Sequence, residues 1–266
     1  MEPSFVTPAV PRRPRSALSL FGDSLRRPGG RRALSLLSVV LFLAAIGLFA
    51  YPLATDLYQR ELQSSLRNQF NTIGTEDAYR TGKFRIGQGL TRLQIPTIGL
   101  DVLVVEGTTP SALRAGAGHY IGTPLPGEAG NVAIAGHRTT FGHPFNHLDE
   151  VHPGDEIDLY TPIYEFIYRA VPSFVSVTSF DGTVNPHPVL PTDISVIAAP
   201  TDPRVHELTL TTCNPKGSAA QRLVLRAVLV GVRLVPGKHA VLPDIHAPAS
   251  GAPAPGPTAT TVVGPQ

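Results

Sequence analysis

The feature that most constrains this chain is an uncharged run of 23 residues, Ala33 to Thr55, lying between Arg32 and Asp56. As a helix it would extend about 34 Å, enough to cross the hydrocarbon core of a bilayer. Seven arginines (Arg12, Arg13, Arg15, Arg26, Arg27, Arg31 and Arg32) precede it, against two acids, Glu2 and Asp23. That asymmetry predicts a single-pass type II protein: residues 1–32 form a disordered basic cytoplasmic tail, 33–55 a transmembrane helix, and the rest lies outside the cell. A cleaved signal peptide is the competing reading. The run is longer than the apolar region of such peptides, however, and Pro52-Leu53-Ala54 is a poor small-x-small cleavage site.

The basic tail also explains the charge balance. The whole chain has 22 basic and 20 acidic side chains; without its first 32 residues, 15 and 18 remain. The excess therefore belongs to a targeting segment, and no stripe of arginines interleaved with aromatics suggests nucleic acid as a partner. One cysteine is present. In a domain facing an oxidising compartment it has no internal disulfide partner, which leaves a buried passenger or a reactive thiol.

Residues 56–90 read as a stalk and linker. Tyr58, Leu62, Leu66 and Phe70 recur every fourth position, on one face of a short helix, and 74–89 reads as polar linker. From Leu93 the texture becomes short β-branched runs separated by Gly, Pro and Asp, as in an all-β barrel or sandwich. Strands are expected at 93–97, 101–106, 131–136, 156–160, 164–170, 194–198, 207–213 and 222–235. Short helices are expected near Ser111–Arg114, capped by Thr109, and near Phe145–Glu150. The proline-rich stretch 178–193 reads as a long loop, a candidate wall of a substrate groove. The folded domain is placed at 91–236, and the Pro/Ala-rich segment 237–266 as a disordered tail. Neither a phosphate-cradling loop nor a dinucleotide fingerprint occurs.

Three residues carry chemistry. Leu208–Cys213, L-T-L-T-T-C, is an alternating strand that ends in the thiol and runs into the turn Asn214-Pro215. Ala133–Arg138, A-I-A-G-H-R, is an apolar strand that runs out at His137. Arg222 opens the strand after the cysteine, and two strands joined by a turn stay adjacent, so its guanidinium is expected near the thiol. A thiolate nucleophile, an imidazole to move the proton and a guanidinium facing the oxyanion are what attack on an amide carbonyl needs.

The T-L-T-T-C motif with its downstream arginine, from about Leu93 to Val235, resembles the catalytic domain of sortases. The stretch Gly118–Gly142, G-H-Y-I-G-T-P-L-P-G-E-A-G-N-V-A-I-A-G-H-R-T-T-F-G, is similar to class E sortases of high-GC Gram-positive bacteria. The resemblance implies a closed eight-stranded β-barrel with short helices. It implies catalytic roles for Cys213, His137 and Arg222, and no cofactor. The reaction implied is two-step acyl transfer: Cys213 cleaves a Thr-Gly bond in a C-terminal sorting signal, Leu-Ala-x-Thr-Gly in class E, and an amine resolves the thioacyl-enzyme. The partners implied are secreted proteins bearing that signal and a cell-wall precursor or pilin amine, met at the outer face of the membrane.

Thr211 and Thr212 are candidates to shape the pocket or donate a hydroxyl to the oxyanion, and Tyr120 to line the subsite for the signal's second residue. His143 and His147, with His137, offer a zinc reading, but no carboxylate or thiol completes the set, so no metal is expected. Two rival readings stay open. Another cysteine peptidase is disfavoured because papain-like enzymes place Cys before His. A membrane-tethered β-domain that binds cell-wall material would use Cys213 only as packing.

Overall fold

The structure, a computed structural model, describes residues 28–70, 72–172 and 185–236. Most of the expected basic tail, the expected C-terminal tail and the first part of the 178–193 loop lie outside them. The chain divides into two compact units at Tyr51/Pro52. The first, described from Pro28, is helical, with Leu36, Phe42, Leu48 and Phe49 all exposed. It belongs to helix α1, Pro28–Phe70, which continues past Pro52 into the second unit. This helix is long and apolar enough to cross a membrane.

In the second unit, helix α2 (Ile73–Thr81) is followed by strands β1 (Gly89–Ile95) and β2 (Leu100–Glu106), helix α3 (Pro110–Ala115), and strands β3 (Ala117–His119) and β4 (Gly130–Ala135). Then come β5 (Glu156–Tyr160), β6 (Tyr164–Ala170), β7 (His187–Val189), β8 (His206–Asn214) and β9 (Gln221–Leu234). The strand order is β6-β5-β1-β2-β3-β4-β8-β9, and β6 also pairs with β9, so eight strands close on themselves. The three-residue β7 attaches outside this ring, on the first part of β9. Closure removes the open edges that would otherwise template aggregation.

Alternation fills the interior. Leu93, Ile95, Val102, Val104, Val132, Ile134, Leu208, Leu210, Leu223 and Leu225 share one core, joined by Phe145 and Leu148 from the connection after β4. Thr109 caps α3 as expected, its hydroxyl accepting from the Ala112 N–H at 3.3 Å.

Five local expectations change. Residues 187–189, inside the 178–193 stretch read as a loop, pair with β9 as β7. Residues 194–198 do not pair as a strand: Ile194–Ile197 form a 3-10 turn, with the Asp193 carboxylate accepting from Ser195 N–H and Oγ. The 74–89 segment is helical through Thr81, because Ala78 is buried and Tyr79 packs against the core, donating its hydroxyl to Leu90 O at 2.7 Å. Near Phe145–Glu150 the helix is one 3-10 turn, Leu148–Glu150. On the stalk, Tyr58 is exposed and the buried side is polar, formed by Thr55, Gln59 and Gln63 with Phe70 at its end.

Outside the barrel wall, Arg226 is buried and its Nη1 donates to Glu207 Oε2 at 2.8 Å while Nη2 donates to Val196 O. Asn185 donates to Arg226 O, and Asn131 Nδ2 to Val196 O and Ala198 O. This network fixes the 3-10 turn and β7 against the barrel. Removing one member of a buried ion pair strands the other charge. Glu207→Ala is therefore expected to lower the unfolding free energy by about 3–5 kcal/mol in urea denaturation.

Candidate active site

Strand β8 is the axis of the site. Leu208 and Leu210 enter the core, as do Val132 and Ile134 of β4 and Leu223 and Leu225 of β9. Period-two alternation turns Thr209, Thr211 and Cys213 to the outer face, together with Ala133 and Ala135 of β4 and Arg222 and Val224 of β9. β9 runs antiparallel to β8 with Arg222 directly opposite Cys213. β4 runs parallel, with Ala135 opposite Thr211, and Gly136 N–H donates to Thr211 O at 3.0 Å. Continuing that register by two residues brings His137 level with Cys213. Thiol and guanidinium thus arise side by side on one face of two paired strands about 4.8 Å apart, and the histidine follows two residues after the end of the third.

Each of the three has neighbours: Arg222 Nη1 donates to Ala219 O and Gln221 O, both at 3.0 Å. Arg138, the residue after the histidine, is buried; its Nη1 donates to Cys213 O at 3.1 Å and Asn214 Oδ1 at 2.8 Å, and its Nη2 pairs with Asp149 at 3.0 Å. Thr140 Oγ1 lies 3.3 Å from His137 Nδ1, and the Phe141 ring packs on the imidazole with centroids 5.2 Å apart. Arg114 of α3 sits over the other partner of that stack, 5.9 Å from the Phe141 centroid. Tyr120 follows β3 and its hydroxyl is 2.9 Å from Thr211 Oγ1, which puts it on the same face. Thr212 belongs to the opposite face, where its hydroxyl donates to Gly136 O at 2.8 Å. His119 ties down the turn after Tyr120: Nδ1 is 2.8 Å from Glu106 Oε2 and Nε2 3.0 Å from Pro124 O. His143 and His147 face Asp56 and Glu150, at 3.6 and 2.7 Å.

Arg138, Thr140, Phe141 and Arg114 are absent from the sequence reading. Arg138 carried the best signal, a cation next to the histidine at the end of an apolar strand. Its partners Asn214 and Asp149 are remote in sequence, so no local pattern shows them.

Burial governs the electrostatics. Cys213 and His137 are each 7% exposed. Burial pushes the Cys213 thiol above its ordinary value, and the Arg222 and Arg138 guanidiniums pull it back down. Burial, with the cation of Arg114 as the smaller cause, lowers the His137 imidazole to about 4. Both directions favour a neutral thiol beside a neutral imidazole at pH 7.

The histidine also makes stability depend on pH. Unfolding returns it to about 6.5, so the unfolded chain binds a proton between pH 6.5 and 4 that the fold excludes. Stability is complete above pH 6.5 and falls as pH drops toward 4, by about 3 kcal/mol at most. In His137→Asn this component is expected to vanish, flattening the stability profile from urea denaturation across that window.

The sortase domain family matches residues 93–230. Sortase SrtE1 of Streptomyces coelicolor is 32% identical over 168 residues, which are 57% of this chain and 43% of that protein. Sortase SrtE2 of the same organism is 27% identical over 235 residues, 81% of this chain and 90% of that one. Among solved structures, the SrtF sortase from Corynebacterium diphtheriae has a TM-score of 0.53 at 32% identity, covering 59% of this chain and 92% of that one. The chain spans less than half of SrtE1 but nearly all of the sortase domain in the solved relative. With the family match covering over half its length and relatives among the class E enzymes, the chain belongs to the sortase family, whose members are cysteine transpeptidases.

Proposed function

We propose that this chain is a membrane-anchored transpeptidase in which Cys213 cleaves the Thr-Gly bond of a C-terminal sorting signal of Leu-Ala-x-Thr-Gly type. The observation that supports it is the register that sets Arg222 of β9 directly opposite Cys213 of β8, with His137 two residues beyond the end of β4, the strand on the other side of β8. The thiol passes its proton to His137 as sulfur attacks the scissile carbonyl. Arg222 faces the developing oxyanion or holds the substrate backbone, and His137 returns the proton to the leaving glycine amine. The thioacyl-enzyme is then resolved by an amine of a cell-wall precursor or pilin subunit. Thr211 and Tyr120, joined by their hydroxyls, stand on the same face as the sulfur, and Tyr120 is the residue assigned to the small second position of the signal. Thr212 is given a structural role through Gly136. Helix α1 anchors the protein with its arginine-rich end in the cytoplasm, which sets the catalytic domain on the outer face, where exported substrates and lipid-linked acceptors are found.

The full chain in detergent micelles, incubated with matched Ala- and Pro-containing pentapeptide signals and weighed, is expected to gain one acyl group on Cys213, faster from the Ala peptide. Cys213→Ala gains none, and hydroxylamine releases the acyl group as a hydroxamate. An unmodified wild-type mass with both peptides rules the reading out. Arg222→Ala is expected to slow acylation by about 10²–10³, the loss seen when an oxyanion donor is removed. For a resting pair that is neutral, kcat/KM measured against pH keeps a broad plateau. Its acid limb lies near 4, where His137 takes up a proton, and its alkaline limb lies above the ordinary cysteine value of about 8.5.

A further inference from the structure

The buried side of α1 in the second unit is polar, and each of its side chains has a defined backbone target. Gln63 brackets one residue of β2: its Oε1 accepts from Leu103 N–H at 2.8 Å, and its Nε2 donates to Leu103 O at 3.1 Å and Ala115 O at 2.6 Å. One turn earlier, buried Gln59 donates to Ala115 O at 3.4 Å. A further turn earlier, Asp56 Oδ1 accepts from Gly142 N–H at 2.8 Å and its Oδ2 is 3.6 Å from His143 Nδ1. The first two contacts dock the helix on the barrel. The third reaches the loop that follows His137.

That loop follows an unusual path. Phe141, Gly142 and His143 have φ of 49°, 69° and 35°, three successive residues on the left-handed side, two of which are not glycine. The turn is closed from within by His143 N–H donating to Thr140 O at 3.0 Å, and a run with two non-glycine residues in this region needs further support from its surroundings. Gly142 is also pressed against the helix: a Cβ there would lie 2.3 Å from Gln59 Oε1. The same loop carries Phe141, whose ring stacks on His137, and Thr140, whose hydroxyl meets His137 Nδ1.

We propose that Asp56 is a positioning residue for acyl transfer: by holding the Gly142 N–H it keeps the 140–143 loop in its left-handed path, and so seats Phe141 and Thr140 against the His137 ring. The inference rests on the acyl-transfer reading for its kinetic consequence but not for its structural one. Asp56 touches neither substrate nor sulfur and acts through the loop. It is the first residue after the uncharged run, so the alignment of the imidazole is tied to the point where the chain leaves that run.

The test uses the full chain in micelles, with the histidine rings isotopically labelled. In Asp56→Ala the His137 ring resonance at pH 7 is expected to move, and the acylation rate constant to fall about tenfold to hundredfold with KM within about twofold. Asp56→Asn, which keeps an oxygen to accept from Gly142, is expected to restore both to near wild type. Arg67→Ala removes a contact of the same helix with Asp101, remote from the loop, and is expected to change neither. Asp56→Ser, whose shorter side chain does not reach the Gly142 N–H, is expected to give the Asp56→Ala pattern and decides the matter if Asp56→Ala does not fold. An unmoved His137 resonance in folded Asp56→Ala, or equal kinetic losses in Asp56→Ala and Arg67→Ala, overturns the proposal. If the wild type is never acylated, the acyl-transfer reading fails on its own, and the ring resonance still decides whether Asp56 positions His137.

Discussion

The register between β8 and its two neighbours is the constraint on which the rest depends. A one-residue slip between β8 and β9 would carry Arg222 away from Cys213 and toward the barrel interior, because side chains alternate with period two. The core prevents that slip. Leu208 and Leu210 must meet Leu223 and Leu225 inside the ring, and whatever holds those leucines in register also holds the thiol opposite the guanidinium. The parallel pairing with β4 adds the histidine by the same logic, reinforced at its end by the Thr212 hydroxyl on Gly136 O and the Arg138 guanidinium on Cys213 O. Site geometry is therefore a by-product of hydrophobic packing, and no separate framework is needed to assemble it.

Burial then sets the chemical character of the pair. A thiol and an imidazole withdrawn from water resist charge separation, and the Arg114 cation near the imidazole resists it further. Two guanidiniums near the sulfur favour its anion. The balance leaves a thiol that is neutral at rest, and the neutral thiol is less readily oxidised than its anion.

Much of this was legible in the sequence. Strands β5 and β6 fall where the alternation of Glu156–Tyr160 and Tyr164–Ala170 puts them, and the proximity of Arg222 to Cys213 follows from strand adjacency alone. Where the reading failed, a tertiary contact had overridden a local pattern. Residues 194–198 are β-branched enough for a strand, yet Asp193 caps them into a turn and Arg226 captures Val196 O. The stalk pattern at Tyr58, Leu62 and Leu66 suggested an apolar contact face, whereas the barrel offers unpaired peptide groups at Leu103, Ala115 and Gly142, which glutamine and aspartate satisfy better than leucine. Arg138 escaped notice because its partners come from distant parts of the chain. Thr212, grouped with Thr211 by adjacency, is separated from it by the pleat.

The short strand β7 has a consequence for recognition. It occupies the flank of β9 at Arg222, Leu223 and Val224, and β6 takes over that flank from Ala227 onward. On the other side the ring is continuous through β8, β4 and β3. Among the described residues, most of the length of β8 and β9 is therefore paired on both flanks, which leaves little open edge for an extended peptide to add to. On the proposed reading, the choice between one linear motif and another falls to side chains standing on the wall, which can be exchanged while the ladder beneath them stays intact.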